Sequence, residues 1–270
     1  MTKAYSEADD FREHKLHEHK LHIDDIYNTL GIITIAEKAR VLDIGGGQGM
    51  HACFLAQNYA LCYCLDIIDY QSLYNGEFYR LFKEKCVRNS VFYNEKQLRF
   101  VENDAMDILF RNDYFDFVTS FNALEHIPDP LKALEEMVRV TRKGGIVYLT
   151  FDPVWTADTG SHFIHRVPEP WAHLVEDQET FIKKMHRAGS SEDEISDFKN
   201  GMNQLRLSSY RTIFKQIIDR NDVELIHRSF WSGVAKTSHK RHSNYQKCLQ
   251  LGFSEEELKI RGMKYVFRKN

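Results

Sequence analysis

The sequence predicts an α/β fold, a mostly parallel sheet wound with helices on both faces. Three observations carry that expectation. Short apolar runs alternate with helical periodicities through the middle of the chain. A glycine turn separates the first apolar run from the first helix of this region. Aspartates stand at the ends of three successive runs, where the ligand crevice of such a sheet opens.

The elements follow in order. Ile23, Ile26, Tyr27 and Leu30 mark an N-terminal helix that docks on the sheet. Ala39 to Ile44 reads as the first strand, followed by Gly45-Gly-Gly-Gln-Gly49 and a helix to about Asn58. Leu61 to Leu65, Leu98 to Val101 and Phe115 to Ser120 give strands two to four. A helix from Pro130 to about Thr141 carries Leu131, Leu134, Met137 and Val138 on one side, and Ile146 to Phe151 is the fifth strand. Beyond Asp152 a loop rich in aromatics, His and Pro leads into mainly helical sequence. This segment, 153–206, is expected to be a substrate-side insertion without a core of its own. Tyr210, Ile213, Phe214, Ile217 and Ile218 then mark an amphipathic helix, and Val223 to Phe230 and Lys264 to Arg268 the last two strands. The chain is thus expected to be one domain: a helical cap over 1–37, a ligand-binding core over 38–152, the insertion, and closing helix-strand units over 207–270.

The composition is that of a globular protein, with 43% hydrophobic and 28% charged residues and a net charge of -3. That balance argues against a dedicated nucleic-acid binder. No apolar run approaches the length of a membrane span, and the charged N-terminus does not read as a signal peptide. Five scattered cysteines, Cys53, Cys62, Cys64, Cys86 and Cys248, read as reduced core residues of a cytoplasmic protein.

The glycine turn lets the backbone approach a ligand, but dinucleotide-binding folds use the same device. The carboxylates narrow the choice. Asp43 precedes the glycines, where it can face a cationic amino-acid moiety. Asp66 ends the second strand and suits ribose hydroxyls, and Asp104 suits an adenine amino group. Such a set fits a positively charged adenosyl ligand better than a pyrophosphate.

Val41-Leu-Asp-Ile-Gly-Gly-Gly-Gln-Gly49 resembles motif I of the class I S-adenosylmethionine (SAM)-dependent methyltransferases, with Asp66 at the family's ribose-binding distance. Asn103-Asp-Ala105 resembles the adenine motif. The run from Phe115 to Asp129 is similar to the strand-four signature of the small-molecule branch, and Arg139 to Gly145 to the turn before strand five. The resemblance implies a Rossmann-like class I methyltransferase fold, seven-stranded, with the last strand antiparallel. It implies SAM as cofactor, with Asp43, Gly45 and Gly47 toward the methionine end, Ile67 on the adenine, Phe121 and Asn122 beneath, and Gly49 and Ala105 among the further cofactor-binding residues. It also implies a structural role for His126.

An alcohol acceptor needs a base near neutral pKa. The candidates follow strand five: His162 first, then His165 and His173. They lie in an arrangement loosely similar to methyltransferases of surface-glycan and secondary-metabolite pathways. Strand four ends Phe-Asn-Ala-Leu-Glu rather than Asn/Asp-Pro-Pro-Tyr/Phe, which argues against methylation of nucleobase amines. The expected activity is therefore O-methylation of a small polar metabolite such as a sugar, nucleotide-linked sugar or glycan precursor. The basic stretch 236–242 is a candidate for meeting a phosphate. Methylation of a small amine and a non-catalytic SAM-binding scaffold are the alternatives. His14, His17, His19 and His22 offer i+3 pairs without a clear third ligand, so no metal is expected, although Asp152 with His162 keeps a cation site open. Trp155, Phe163 and Trp171 read as an acceptor wall or as insertion core.

Overall fold

A computed structural model describes residues 13–30, 39–57 and 61–270, with side chains from residue 16 onward. Seven strands form one sheet in the order β3-β2-β1-β4-β5-β7-β6. They are β1 (Arg40–Ile44), β2 (Leu61–Asp66), β3 (Leu98–Glu102), β4 (Phe115–Phe121), β5 (Thr141–Phe151), β6 (Val223–Ser232) and β7 (Ile260–Lys269). The first five run parallel to one another. Only β7, between β5 and β6, runs antiparallel to both. The strand order reverses between β1 and β4, and in open α/β sheets a ligand crevice opens at such a point.

Alternation along the strands divides the core. Leu42, Ile44, Val118 and Leu149 face the helices α4 (Pro130–Val140) and α8 (Leu207–Asp219). Val41, Cys62, Phe117 and Tyr148 face α1 (Glu13–Leu30), α2 (Met50–Ala56) and α3 (Phe78–Arg88). The start of α4 is set by Asp129, whose carboxylate accepts the Lys132 N–H, with Pro130 in the first turn. All five cysteines are buried and free of disulfides. Among the described residues no helix is long and apolar enough to cross a membrane.

Two expectations need correction. The sequence reading passed directly from β2 to β3, whereas α3 lies between them and buries Phe78, Phe82 and Cys86 at i, i+4 and i+8. The insertion, expected to lack a core, has one. Here α5 (Ala172–Val175) leads into α6 (Gln178–Arg187) and α7 (Glu192–Asn200). Phe181 and Met185 meet Ile195 and Phe198 around Trp155, Phe163 and Met202. The amphipathic faces of α6 and α7 satisfy each other instead of packing on the sheet. After β6 the stretch 236–242 forms a tight turn, then α9 (Ser243–Gln250) and α10 (Glu255–Lys259) precede β7.

Candidate cofactor site

At the carboxyl end of β1 the chain turns through Gly45 and Gly47, both at positive φ (64° and 53°). A Cβ on Gly45 would lie 2.3 Å from the Ala123 side chain, so that residue must be glycine for the turn to lie against β4. Gly47 is different: nothing stands within 4 Å of a Cβ there, so this face of the turn is sterically open, while its carbonyl accepts the Tyr70 hydroxyl at 2.6 Å. Asp66, at the end of β2, holds the turn by accepting the Gly47 N–H (2.8 Å) and the Ile68 N–H (3.3 Å). A carboxylate has about four acceptor positions, so Asp66 keeps capacity for the hydroxyls of a ribose.

A cavity of about 650 Å³ opens beside this turn, lined by Gly45, Asp66, Ile67, Asp104, Ala105 and Asn122 among others. Asp104 is fixed by accepting the Met106 N–H at 2.8 Å. Neighbouring Asn103 is locked by the Leu109 N–H and the Asp107 carbonyl. Ile67 is 76% exposed, an apolar surface without a protein cover. Phe121 lies on the other side of the turn, in a recess that also includes Gly45 to Gln48, His19 and His51. Acidic acceptors, an uncovered aliphatic side chain and a sterically open glycine turn suit an adenosyl ligand.

Two expected cofactor residues are not among those lining the cavity or the recess. Asp43 is 1% exposed and lies beneath the turn, where Oδ1 accepts the Thr119 hydroxyl at 2.9 Å and Oδ2 has no hydrogen-bond partner. Burial pushes its carboxyl up to about 7, against the Thr119 bond. Gly49 is the N-cap of α2, packed against the Phe100 ring.

Of the candidate bases, only His162 reaches the cavity. Its Nε2 lies 3.3 Å from the Pro153 carbonyl, and its ring meets His126 edge-on at 5.2 Å. Burial pulls its pKa down to about 4, assisted by His126, so the ring is neutral at pH 7. His165 instead projects to the surface against Glu194. His173 is buried on the Trp155 carbonyl (2.7 Å) and stacks edge-on with that indole. His126 lines the cavity and is held by the Gly201 carbonyl at 2.5 Å. Phe163 alone of the three expected wall aromatics lines the cavity; Trp155 belongs to the insertion core and Trp171 packs with Tyr245 and Leu258. Asp152 pairs with Trp231 and Arg261 rather than with His162. Within 236–242, His239 is buried on Asp158 (2.6 Å), while Lys236, Lys240 and Arg241 point away as exposed side chains.

Two features escaped the sequence reading. Glu125 is 1% exposed with neither carboxylate oxygen hydrogen-bonded, and burial pushes its pKa up to about 8. His51 meets His19 and His22, 32 and 29 residues away, a convergence with no local signal. His14 lies outside the described side chains.

Residues 42–149 match the family described as a methyltransferase domain. Proteins of Mycobacterium tuberculosis and Mycobacterium leprae, each named as an uncharacterized methyltransferase, are 40% and 38% identical over 63 residues. Those matches cover 23% of this chain and 24% and 23% of the relatives, so the chain aligns with about a quarter of their length. Among solved structures, the plantazolicin methyltransferase BpumL in complex with SAH covers 97% of this chain and 87% of its own (TM-score 0.51, 12% identity). The YcgJ protein of Bacillus subtilis covers 94% and 98% (TM-score 0.52, 18% identity). The [4+2]-cyclase SpnF covers 100% and 87% (TM-score 0.53, 14% identity), so this fold also carries other chemistry. The matched segment 42–149 thus carries the sequence pattern of a methyltransferase domain, and the reversed strand order and the glycine turn with its acidic strand ends place it on the fold these solved structures share.

Proposed function

We propose that the protein is a SAM-dependent methyltransferase that O-methylates a small polar metabolite, a sugar, nucleotide-linked sugar or glycan precursor being the class that fits. One observation carries this reading: Asn122 is shared by three adjoining spaces. It lines the cavity with Asp66 and Asp104, the recess of the glycine turn, and a polar recess of about 380 Å³. The third space is lined by Glu18, His22, Thr150, Asp152, Trp231 and Arg261, side chains suited to a hydroxylated acceptor.

The bound cofactor supplies an electrophilic methyl group, and transfer is an in-line displacement whose rate depends on alignment. Asn122 supports that alignment from a fixed position. Its N–H donates to the Thr150 carbonyl (2.8 Å), its Oδ1 accepts the Asp152 N–H (3.1 Å), and its backbone is held at φ 48°. Neutral His162 lines the cavity on the other side of Asn122 and is in the protonation state needed to take a proton from an acceptor hydroxyl that reaches past Asn122 into it. The exposed cations of 236–242 line none of the three spaces, so recognition of a phosphate on the acceptor would fall to Arg261.

A small amine is the second reading, favoured by the depressed basicity of His162, because an amine acceptor needs no strong base. The test is incubation with SAM labelled on its methyl group and a fractionated cell extract. Label in an alkali-stable ether of a small polar molecule is the expected result. Label on an amine selects the second reading, and label only in RNA or protein overturns both.

A further inference from the structure

We propose that His19, His22 and His51 form a binding site for a divalent transition-metal ion, of which Zn²⁺ is the best match. His19 and His22 stand one helical turn apart on α1, and His51 is the second residue of α2. His19 Nδ1 lies 3.1 Å and His22 Nδ1 2.9 Å from His51 Nε2, and one nitrogen from each ring falls within 4.8 Å of the other two.

Hydrogen bonding alone serves this arrangement poorly. A ring nitrogen has one in-plane position, either an N–H or a lone pair. Two Nδ1 atoms contend for the single position on His51 Nε2. A cation between the rings takes a lone pair from each. With Zn–N bonds of about 2.0–2.1 Å, tetrahedral ligands stand about 3.3 Å apart, close to the 3.1 Å and 2.9 Å that separate His19 and His22 from His51 Nε2. Imidazole ligands suit zinc and its neighbours rather than magnesium or calcium.

The rings are held ready. Phe121 stacks under His51 (4.2 Å between centroids, 18° between planes) and parallel to His22 (5.7 Å, 4°). His51 is 8% exposed, so its position is set by the core. His19 and His51 line the glycine-turn recess, and His22 lines the polar recess beyond Asn122. Three histidines leave a fourth coordination position, which is characteristic of sites that take water or an oxygen of a bound molecule. The ion therefore stands where both recesses meet, placed to receive an oxygen atom from a ligand in either one. Metal binding at these three rings does not depend on the acceptor assigned above, or on methyl transfer.

The experiment uses the tag-free, full-length chain stripped with a chelator and titrated with Co²⁺, whose visible absorption reports tetrahedral nitrogen coordination. Saturation at one equivalent is expected, with displacement by one equivalent of Zn²⁺. His19→Ala and His22→Ala should each weaken uptake by roughly 100-fold or more, since each removes one ligand of three. Circular dichroism and thermal unfolding serve as folding controls, and these partly exposed positions avoid the packing change that His51→Ala would bring. The proposal is overturned by the absence of saturable Co²⁺ uptake, or by uptake that persists unchanged in the folded double variant.

Discussion

Asp66 illustrates how one side chain serves two tasks. It fixes the glycine turn through Gly47 and presents spare acceptor capacity to the cavity. Asp66→Ala should weaken SAM binding by about 1–3 kcal/mol, measured by calorimetry, because it removes charged acceptors and releases the turn. Unchanged affinity would place the ribose elsewhere. For His162, replacement by Ala should lower turnover by roughly 100-fold while sparing SAM affinity, if its ring is the base. The acid limb of the wild-type pH-rate profile should then lie near pH 4, not near the ordinary histidine value, because burial disfavours the charged ring. Wild-type turnover in the variant removes His162 from that role. Asp66 was legible from the sequence because a strand end defines its position. The choice of His162 over His165 and His173 rested on residue type, and only packing separates a ring in the cavity from one against Glu194 or one beneath Trp155.

Among the elements, α1 has the most consequence for both recesses, since it contributes Glu18, His19 and His22. Its apolar anchors are Ile23 and Ile26. Its polar anchor is Asp25, which accepts from the Tyr148 hydroxyl of β5 and from Lys264 of β7 at 2.8 Å. Lys264 is 8% exposed, so loss of Asp25 leaves a largely buried ammonium with Thr29 as its remaining hydrogen-bond partner among the described residues. Asp25→Ala should cost about 1–3 kcal/mol in denaturant unfolding. It should also weaken the Co²⁺ uptake described above, because the helix that carries two of the rings loses its tie to the sheet. A stability equal to wild type would show that the apolar contacts alone seat α1. Periodicity revealed α1 and its docking residues, but the partners Tyr148 and Lys264 are more than 120 residues distant.

For the whole molecule, buried ionisable groups set opposing pH dependences. His162 and His173 are both pulled down to about 4 by burial. Between pH 6.5 and 4 the unfolded chain binds protons that the folded rings refuse, so these groups make stability fall as pH falls through that window. Glu125 is raised to about 8 and Asp43 to about 7, again by burial. Above pH 4.5 the unfolded chain releases protons that the folded carboxyls retain, so they make stability fall as pH rises. Above about pH 7.5 the histidines are nearly neutral in both states, so these two carboxyls set the slope and melting temperature should decline from there to pH 8. Glu125→Gln keeps the shape without the charge and should flatten the decline by up to about 1.4 kcal/mol per pH unit. An identical pH slope in the variant would mean that Glu125 is ionised in the folded protein.

The sequence by itself determined the wound sheet, the order of its strands along the chain, the glycine turn and the acidic strand ends, because each is a local pattern. Strands alternate or run apolar over a few residues, and a turn next to a strand needs its glycines whatever lies far away. Tertiary structure alone decided that Asp43 lies beneath the turn, that α6 and α7 bury each other's faces, and that His51 closes on His19 and His22. Each of these is a meeting of elements with no fixed spacing along the chain. Which faces meet depends on how the assembled helices share the available apolar surface, a property of the packed molecule and not of any segment.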